Sequence, residues 1–268
     1  MALSIWNMAM GRGFMSEDTR KYTGASKQKE SADNPSVILL LMMGGSGTRF
    51  GAEIPKQFVP VADKPVFSYI IEKYSTCTCV DRAVIVCHQE WVEYTRNWVK
   101  SLGLTLPIEV VVGGVSRSES VRNGLTAVAR DALLTDVILI HDATHPYVDE
   151  LALDALIEAT REAGGATMGE LQYDTVYRKD PDTDIVCEAI PRESIVVGAS
   201  PEAFTFGRIW SIYSQLTDAE LEKYTSAGAL ALAFGIPLRV IPTPLINLKI
   251  TYRHDMEVFK HLFHDYYF

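Results

Sequence analysis

Seven consecutive apolar residues, Val37 to Met43, set the strongest constraint on how this chain folds. A strand with no polar alternation is buried on both faces, which is the condition of an interior strand in a parallel sheet covered by helices. The run stops abruptly at Gly44-Gly45-Ser46-Gly47, and Arg49 and Lys56 follow within one short loop. Glycine lets a ligand approach the backbone closely. Successive loop N–H groups then converge on an anion, with two cations beside them. The stretch reads as a triphosphate cradle at the end of the first strand of an α/β sheet.

Neighbouring motifs are excluded by spacing. The glycines at 44, 45, 47 and 51 do not make G-x-G-x-x-G, and no Gly-Lys-Ser/Thr follows, so a Walker-type P-loop is ruled out. The second strand ends in Val86-Cys87-His88 and lacks the acidic residue of a dinucleotide fold. Taken alone, the loop also reads as a Gly-rich turn with ordinary surface charges, so the rest of the chain must decide.

A chain of 268 residues buries a full core. With 47% hydrophobic and 22% charged residues it has the balance of a soluble globular protein. The net charge of −9 and the lack of a long basic run argue against nucleic acid as partner. No apolar run has the length of a membrane span. Cys77-Thr78-Cys79 lacks the C-x-x-C spacing of zinc and redox sites, and Cys87 and Cys187 stand apart. Free thiols in a reducing cytoplasm are the expectation. Residues 1–35 are polar and rich in Gly, Ser and Lys, and read as a disordered or tag-like tail. Arg12 is the sole basic residue among the first 15, and Glu17 and Asp18 follow, which argues against a transit peptide. Residues 36–268 then form a single domain.

Within that domain strands and helices alternate. After Lys64-Pro65 a helix places Val66, Phe67, Ile70, Ile71 and Tyr74 on one face; a strand spans Arg82 to His88, a helix Gln89 to Leu102. A strand over Ile108 to Val112 leads through Gly113-Gly114 to a helix from about Glu119 to Leu134. Val137 to Ile140 is the next strand, ending in His141-Asp142-Ala143; a helix over Glu150 to Ala163 and a strand over Ala166 to Gln172 follow. Such alternation implies a Rossmann-like, doubly wound, mainly parallel sheet, with ligands beyond the carboxyl ends of the strands. The Gly44–Lys56 loop, the Gly113–Arg117 stretch and His141-Asp142-Ala143 all land there.

Asp180 to Asp184 is a turn between Thr175–Arg178 and Ile185–Ala189, so residues 173–200 read as a hairpin arm leaving the main sheet. A lone hairpin is marginal in water, and the arm is expected to pack against a second subunit. Helices are expected over Pro201–Gln215 and Asp218–Phe234, then a strand over Leu238–Ile241 and a final helix from His254 with Met256, Phe259, Leu262 and Phe263 inward.

The ordered set G-G-x-G-x-R, P-K-Q, G-G-x-x-R-x-x-S-V, H-D-A, D-T and N-x-K-I-T resembles the IspD/TarI family over about Ser36 to Phe259. These are cytidylyltransferases that join CTP to a polyol phosphate such as methylerythritol 4-phosphate or ribitol 5-phosphate. The resemblance implies a nucleotide-diphospho-sugar transferase-like fold and a homodimer through the arm. It implies catalytic roles for Arg49, Lys56 and Lys249, and nucleotide contacts from Met43, Gly44, Gly45, Gly47, Gly113, Gly114, Arg117, Ser120 and Ala143. Asp142 is implied to hold Mg²⁺ or polyol hydroxyls, with His145, Thr175 and Arg192 on the acceptor side, the last two reaching from the arm into the partner's site.

Departures cluster on that acceptor side. His145 stands where the family has Arg in H-D-A-x-R-P, and a protonated histidine is expected to substitute in part. Ser200-Pro201-Glu202-Ala203-Phe204 replaces T-P-Q-x-F, and Ser226 stands where T-D-x-x has Asp. Gln89-Glu90-Trp91 and Gln215 to Asp218 look closer to the ribitol phosphate branch. Three readings follow: a Mg²⁺-dependent cytidylyltransferase favouring a ribitol 5-phosphate-like acceptor, a nucleotide-binding homologue without turnover, and a sugar-1-phosphate nucleotidyltransferase.

Overall fold

Strand β1, Val37–Met43, is buried along its whole length. In the computed structural model, which describes residues 35–44, 54–243 and 246–267, it lies between two parallel neighbours, β4 (Arg82–Cys87) and β6 (Val137–Asp142). The seven-stranded sheet runs in the order β11-β7-β10-β6-β1-β4-β5, where β5 is Ile108–Val112, β7 Gly165–Leu171, β10 Val196–Thr205 and β11 Arg239–Pro242; β2 (Pro60–Val61) and β3 (Lys64–Pro65) pair with each other outside it. Pairing is parallel except at β10, which runs antiparallel to β6 and β7. Residues Pro35–Phe268 pack as one unit; the tail expected over 1–35 lies, Pro35 apart, outside the described residues.

The pleat of β1 divides its side chains between two cores. Leu39, Leu41 and Met43 face a core shared with Phe67, Ile70, Tyr74 and Leu156, from the helices Val66–Thr76 and Glu150–Ala163. Ile38, Leu40 and Met42 face another with Val121, Leu125 and Ile209, from the helices Arg117–Val128 and Phe206–Tyr213. Helices on both faces make the sheet doubly wound, as the uninterrupted apolar run implies. Burying each such side chain stabilises by about 1.5–3 kcal/mol. The closing helix Arg253–Tyr267 buries Met256, Phe259 and Phe263 in a third cluster with Val61, Val66, Tyr69 and Ile250. This cluster fastens the Asn247–Thr251 segment beside the strand ends.

The arm is a separate two-stranded sheet, β8 (Val176–Lys179) with β9 (Val186–Ile190). Tyr173, Tyr177, Ile185 and Val186 on it are exposed.

Three helix expectations are corrected. Pro201–Thr205 is the end of β10, and helix begins at Phe206; Ala203 and Phe204 pair with Leu139 and Ile138 on one side and with Ala166 and Gly165 on the other. The stretch Asp218–Phe234 holds two helices, Asp218–Leu221 and Ala227–Ala233. Ser226 starts the second by accepting a hydrogen bond from Ala229 N–H at 3.0 Å. The helix expected over Glu119–Leu134 spans Arg117–Val128; Ser116 sets its start by accepting from Glu119 N–H at 3.1 Å, and Ala129 closes its end.

Candidate active site

The carboxyl ends of β1, β5 and β6 open into one cleft of about 630 Å³, within the range of small-molecule sites. Met43, Gly44, Lys56, Gly113, Gly114, Arg117, Ser120, Asp142 and Lys249 line it together. Residues more than two hundred positions apart are thereby brought to one place. Gly45, Gly47 and Arg49 lie outside the described residues.

Each wall is held by the local chain. The buried Gln57 donates from its side-chain amide to the Met43 carbonyl at 2.9 Å, which draws Lys56 to the end of β1. Gln57 is the functional residue of P-K-Q that motif reading left without a role. On the facing wall Gly113 N–H donates to the Cys87 carbonyl at 2.8 Å, continuing the sheet into the glycine pair. Ser120 Oγ accepts from Gly114 N–H at 3.0 Å and donates to the Ser116 carbonyl at 2.8 Å. A Cβ on Gly44 or Gly113 would lie 2.7 or 2.9 Å from Ser120 Oγ. The two glycines therefore fit around the serine, and any side chain there would displace it.

The floor is electrostatic. Arg117 Nε and Nη2 lie 3.2 and 3.0 Å from Asp142 Oδ1, and Lys249 Nζ lies 3.4 Å from Oδ2. Burial opposes ionisation of Asp142, but Arg117, Lys249 and the other charges outweigh it and hold the carboxyl at about 2. Arg117 also stands 3.9 Å from Glu202 Oε2. Burial pushes the Glu202 carboxyl up, against the pull of Arg117 and of the Gly228 N–H. Sequence reasoning noted Glu202 as a departure and missed its place behind Arg117; a lone acidic residue in a strand carries no motif signal.

Beneath the floor, His145 is buried and lies outside the cleft lining. Burial first, and then the positive charge of Lys249, hold its imidazole down at about 3. The expected protonated substitute for arginine is thus corrected: this histidine is neutral, because it is dry and faces cations. Ala143 is fully buried, its N–H donating to the Met42 carbonyl at 3.0 Å, and supplies no cleft surface. Thr175 and Arg192 are exposed on the arm, where Arg192 donates to the Tyr173 carbonyl at 2.6 Å. They do not join the cleft within this chain.

Glycine-lined approach, converging cations and the Asp142 carboxylate between them, set at the strand ends of a doubly wound sheet, define an α/β nucleotidyltransferase. The family model described as IspD, 2-C-methyl-D-erythritol 4-phosphate cytidylyltransferase, matches residues 37–264, and the chain belongs to that family. Among its relatives is the 2-C-methyl-D-erythritol 4-phosphate cytidylyltransferase of Petrotoga mobilis, 29% identical over 227 residues, covering 85% of this chain and 98% of that one. The ribitol-5-phosphate cytidylyltransferase of Streptococcus agalactiae serotype Ia is also 29% identical over 227 residues, covering 84% and 95%. The fold matches the 4-diphosphocytidyl-2C-methyl-D-erythritol synthase of Anaerococcus prevotii with a TM-score of 0.72 at 20% identity, over 86% of this chain and 99% of that one. The family, and the mainly parallel α/β fold, agree with the resemblance carried by the motifs.

Proposed function

We propose that this protein transfers CMP from CTP to a polyol phosphate, giving a CDP-polyol and pyrophosphate. The observation that carries the reading is the Asp142 carboxylate held between Arg117 and Lys249 in a glycine-walled cleft with Lys56. An oxygen of the acceptor phosphate attacks the α-phosphorus of CTP, and the bond from that phosphorus to the β-phosphate bridging oxygen breaks. Pyrophosphate leaves with the electron pair. No side-chain nucleophile is needed; the protein must bring two polyanions together, and positioning with charge neutralisation does so. Lys56 and Lys249, with Arg49 from the loop, are assigned to that task. Gly113 and Gly114 admit the nucleotide, and Arg117 holds it.

Mg²⁺ is part of this proposal. Among the described residues no three His, Cys, Asp or Glu side chains gather into a metal site. A magnesium ion takes one or two carboxylates and fills its other positions from phosphate and water, so Asp142, the carboxylate set between Arg117 and Lys249, fits an ion that arrives with the triphosphate. Asp142 would hold it, and the ion would supply further charge neutralisation on the phosphate oxygens.

For the acceptor we favour a ribitol 5-phosphate-like pentitol over methylerythritol 4-phosphate. The support is Gln89 of Gln89-Glu90-Trp91, which is among the residues lining the cleft. The arm, with Thr175 and Arg192, is assigned to a homodimer contact and to the partner's acceptor site. The four free cysteines agree with action in the cytoplasm, and among the described residues no helix is long and apolar enough to cross a membrane. A second reading, CTP binding without turnover, is favoured by the neutral His145. Pyrophosphate release from CTP with a panel of polyol phosphates separates the two, since the second gives CTP binding by calorimetry and no release.

A further inference from the structure

Arg117 faces two carboxylates but is seated on one. Both of its short contacts go to Asp142 Oδ1, at 3.2 and 3.0 Å, while Glu202 Oε2 stands at 3.9 Å. Glu202 is fixed from behind: its strand position pairs with Ile140 and Thr167, and its Oε1 accepts from Gly228 N–H at 3.0 Å. A Cβ on Gly228 would fall 2.4 Å from that Oε1, so the carboxyl is locked against the start of the helix Ala227–Ala233. The other oxygen, Oε2, is buried and makes no hydrogen bond of ordinary length among the described residues; the Ser226 hydroxyl, which also draws on this carboxyl, does not satisfy it. An unsatisfied buried acceptor is costly, and a carboxylate oxygen costs more than a neutral one. The nearest cation is the Arg117 guanidinium, about one ångström short of a charge-assisted hydrogen bond.

We propose that Glu202 is a positioning residue: a second, prebuilt seat that the Arg117 guanidinium takes whenever a ligand occupies the Asp142 carboxylate. The two seats lie on neighbouring strands, β6 and β10, and the same guanidinium nitrogen, Nη2, faces both, at 3.0 Å from Asp142 and 3.9 Å from Glu202. A ligand that claims Asp142 would otherwise leave Arg117 with a lost ion pair in a half-buried place. With Glu202 behind it, Arg117 moves by about the length that Oε2 lacks and stays in the cleft wall, charged and oriented.

A thermal double-mutant cycle tests this without any ligand, and so independently of the proposed reaction. Asp142→Asn removes the first seat's charge and keeps its shape; Glu202→Gln does the same at the second while retaining an acceptor for Gly228 N–H. Glu202→Gln is expected to shift Tm by under about 1 °C in the wild-type background. In the Asp142→Asn background it should cost a further 2–4 °C, the shift of roughly 1 kcal/mol in a chain of this size. Additive effects overturn the proposal. The second measurement, which rests on the reading of CTP as substrate, is steady-state kinetics of Glu202→Gln. The seat predicts a several-fold higher KM for CTP with kcat within about twofold. A purely structural Glu202, acting through Gly228, leaves both constants unchanged and overturns the proposal. Absence of CTP turnover in the wild-type protein strikes the proposed reaction and leaves the thermal cycle to decide the seat.

Discussion

Tyr74 Oη and His141 Nδ1 are 2.8 Å apart in the interior, and the other ring nitrogen of His141 is 2.8 Å from the His145 carbonyl. A carbonyl only accepts, so Nε2 carries the proton and Nδ1 accepts from the tyrosine hydroxyl. The pair ties the helix Val66–Thr76 to the turn that carries Asp142 and Thr144. Thr144 in turn accepts from Ile250 N–H at 2.8 Å, which sets Lys249 opposite Asp142.

This arrangement predicts an acid-labile limb. Burial holds the His141 imidazole at about 4, below its ordinary 6.5. The folded state therefore binds fewer protons, and its stability is full above about pH 6.5 and falls toward pH 4. The loss is roughly 3 kcal/mol for this group. Urea unfolding at pH 7, 5.5 and 4.5 should show the decline, and His141→Gln, which keeps a donor to the His145 carbonyl, should reduce its slope. An unchanged slope in the variant would place the limb elsewhere.

Lys249→Ala separates chemistry from folding. The side chain is 49% exposed and 3.4 Å from Asp142, and such a pair contributes under about 1 kcal/mol to stability. Losing a cation aimed at developing phosphate charge costs about 10²–10³ in rate. The expected variant melts near the wild-type temperature and turns over at least a hundredfold more slowly. A variant that keeps its rate would remove Lys249 from the site.

Gly44→Ala tests the fit around Ser120. The new methyl would lie 2.7 Å from Ser120 Oγ, and such overpacking costs about 1–3 kcal/mol. Adding Ser120→Ala removes the clashing oxygen, so the double variant should be more stable than the sum of the singles. Strict additivity would show that the two residues do not interlock.

The arm predicts the assembly. Tyr177 on β8 and Ile185 just before β9 are 59% and 67% exposed on the arm. We expect a dimer by sedimentation equilibrium, and a monomer on Tyr177→Glu with Ile185→Glu. A wild-type monomer at micromolar concentration would contradict the homodimer.

What was legible in the chain follows from where a pattern has a single physical reading. Val37–Met43 and Glu150–Ala163 were read to the residue. The first is apolar throughout, and the second has Asp149 capping its start and Gly164 in a left-handed turn at its end. Pro201–Thr205 reads as helix because a strand inserted between two others, with neighbouring Ala203 and Phe204 both fully buried, shows no clean alternation. Its identity depends on β6 and β7, which lie far away in sequence. The break before Ala227 had a visible signal, the capping Ser226, and was overlooked among helix-forming neighbours. At the site, Gly44, Gly113, Gly114, Lys56, Arg117, Asp142 and Lys249 are legible because their motifs converge on strand ends. The charge state of His145 and the place of Glu202 are not, since burial and a cation's second neighbour leave no mark in local spacing.

The central claim rests on the cleft acting on CTP. Purified protein with CTP, Mg²⁺ and a panel of pentitol and tetritol phosphates should release pyrophosphate in step with a CDP-polyol, fastest with ribitol 5-phosphate. Lys56→Ala should lower that rate by at least a hundredfold with Tm unchanged. No pyrophosphate from any acceptor, with the protein folded, would contradict the account.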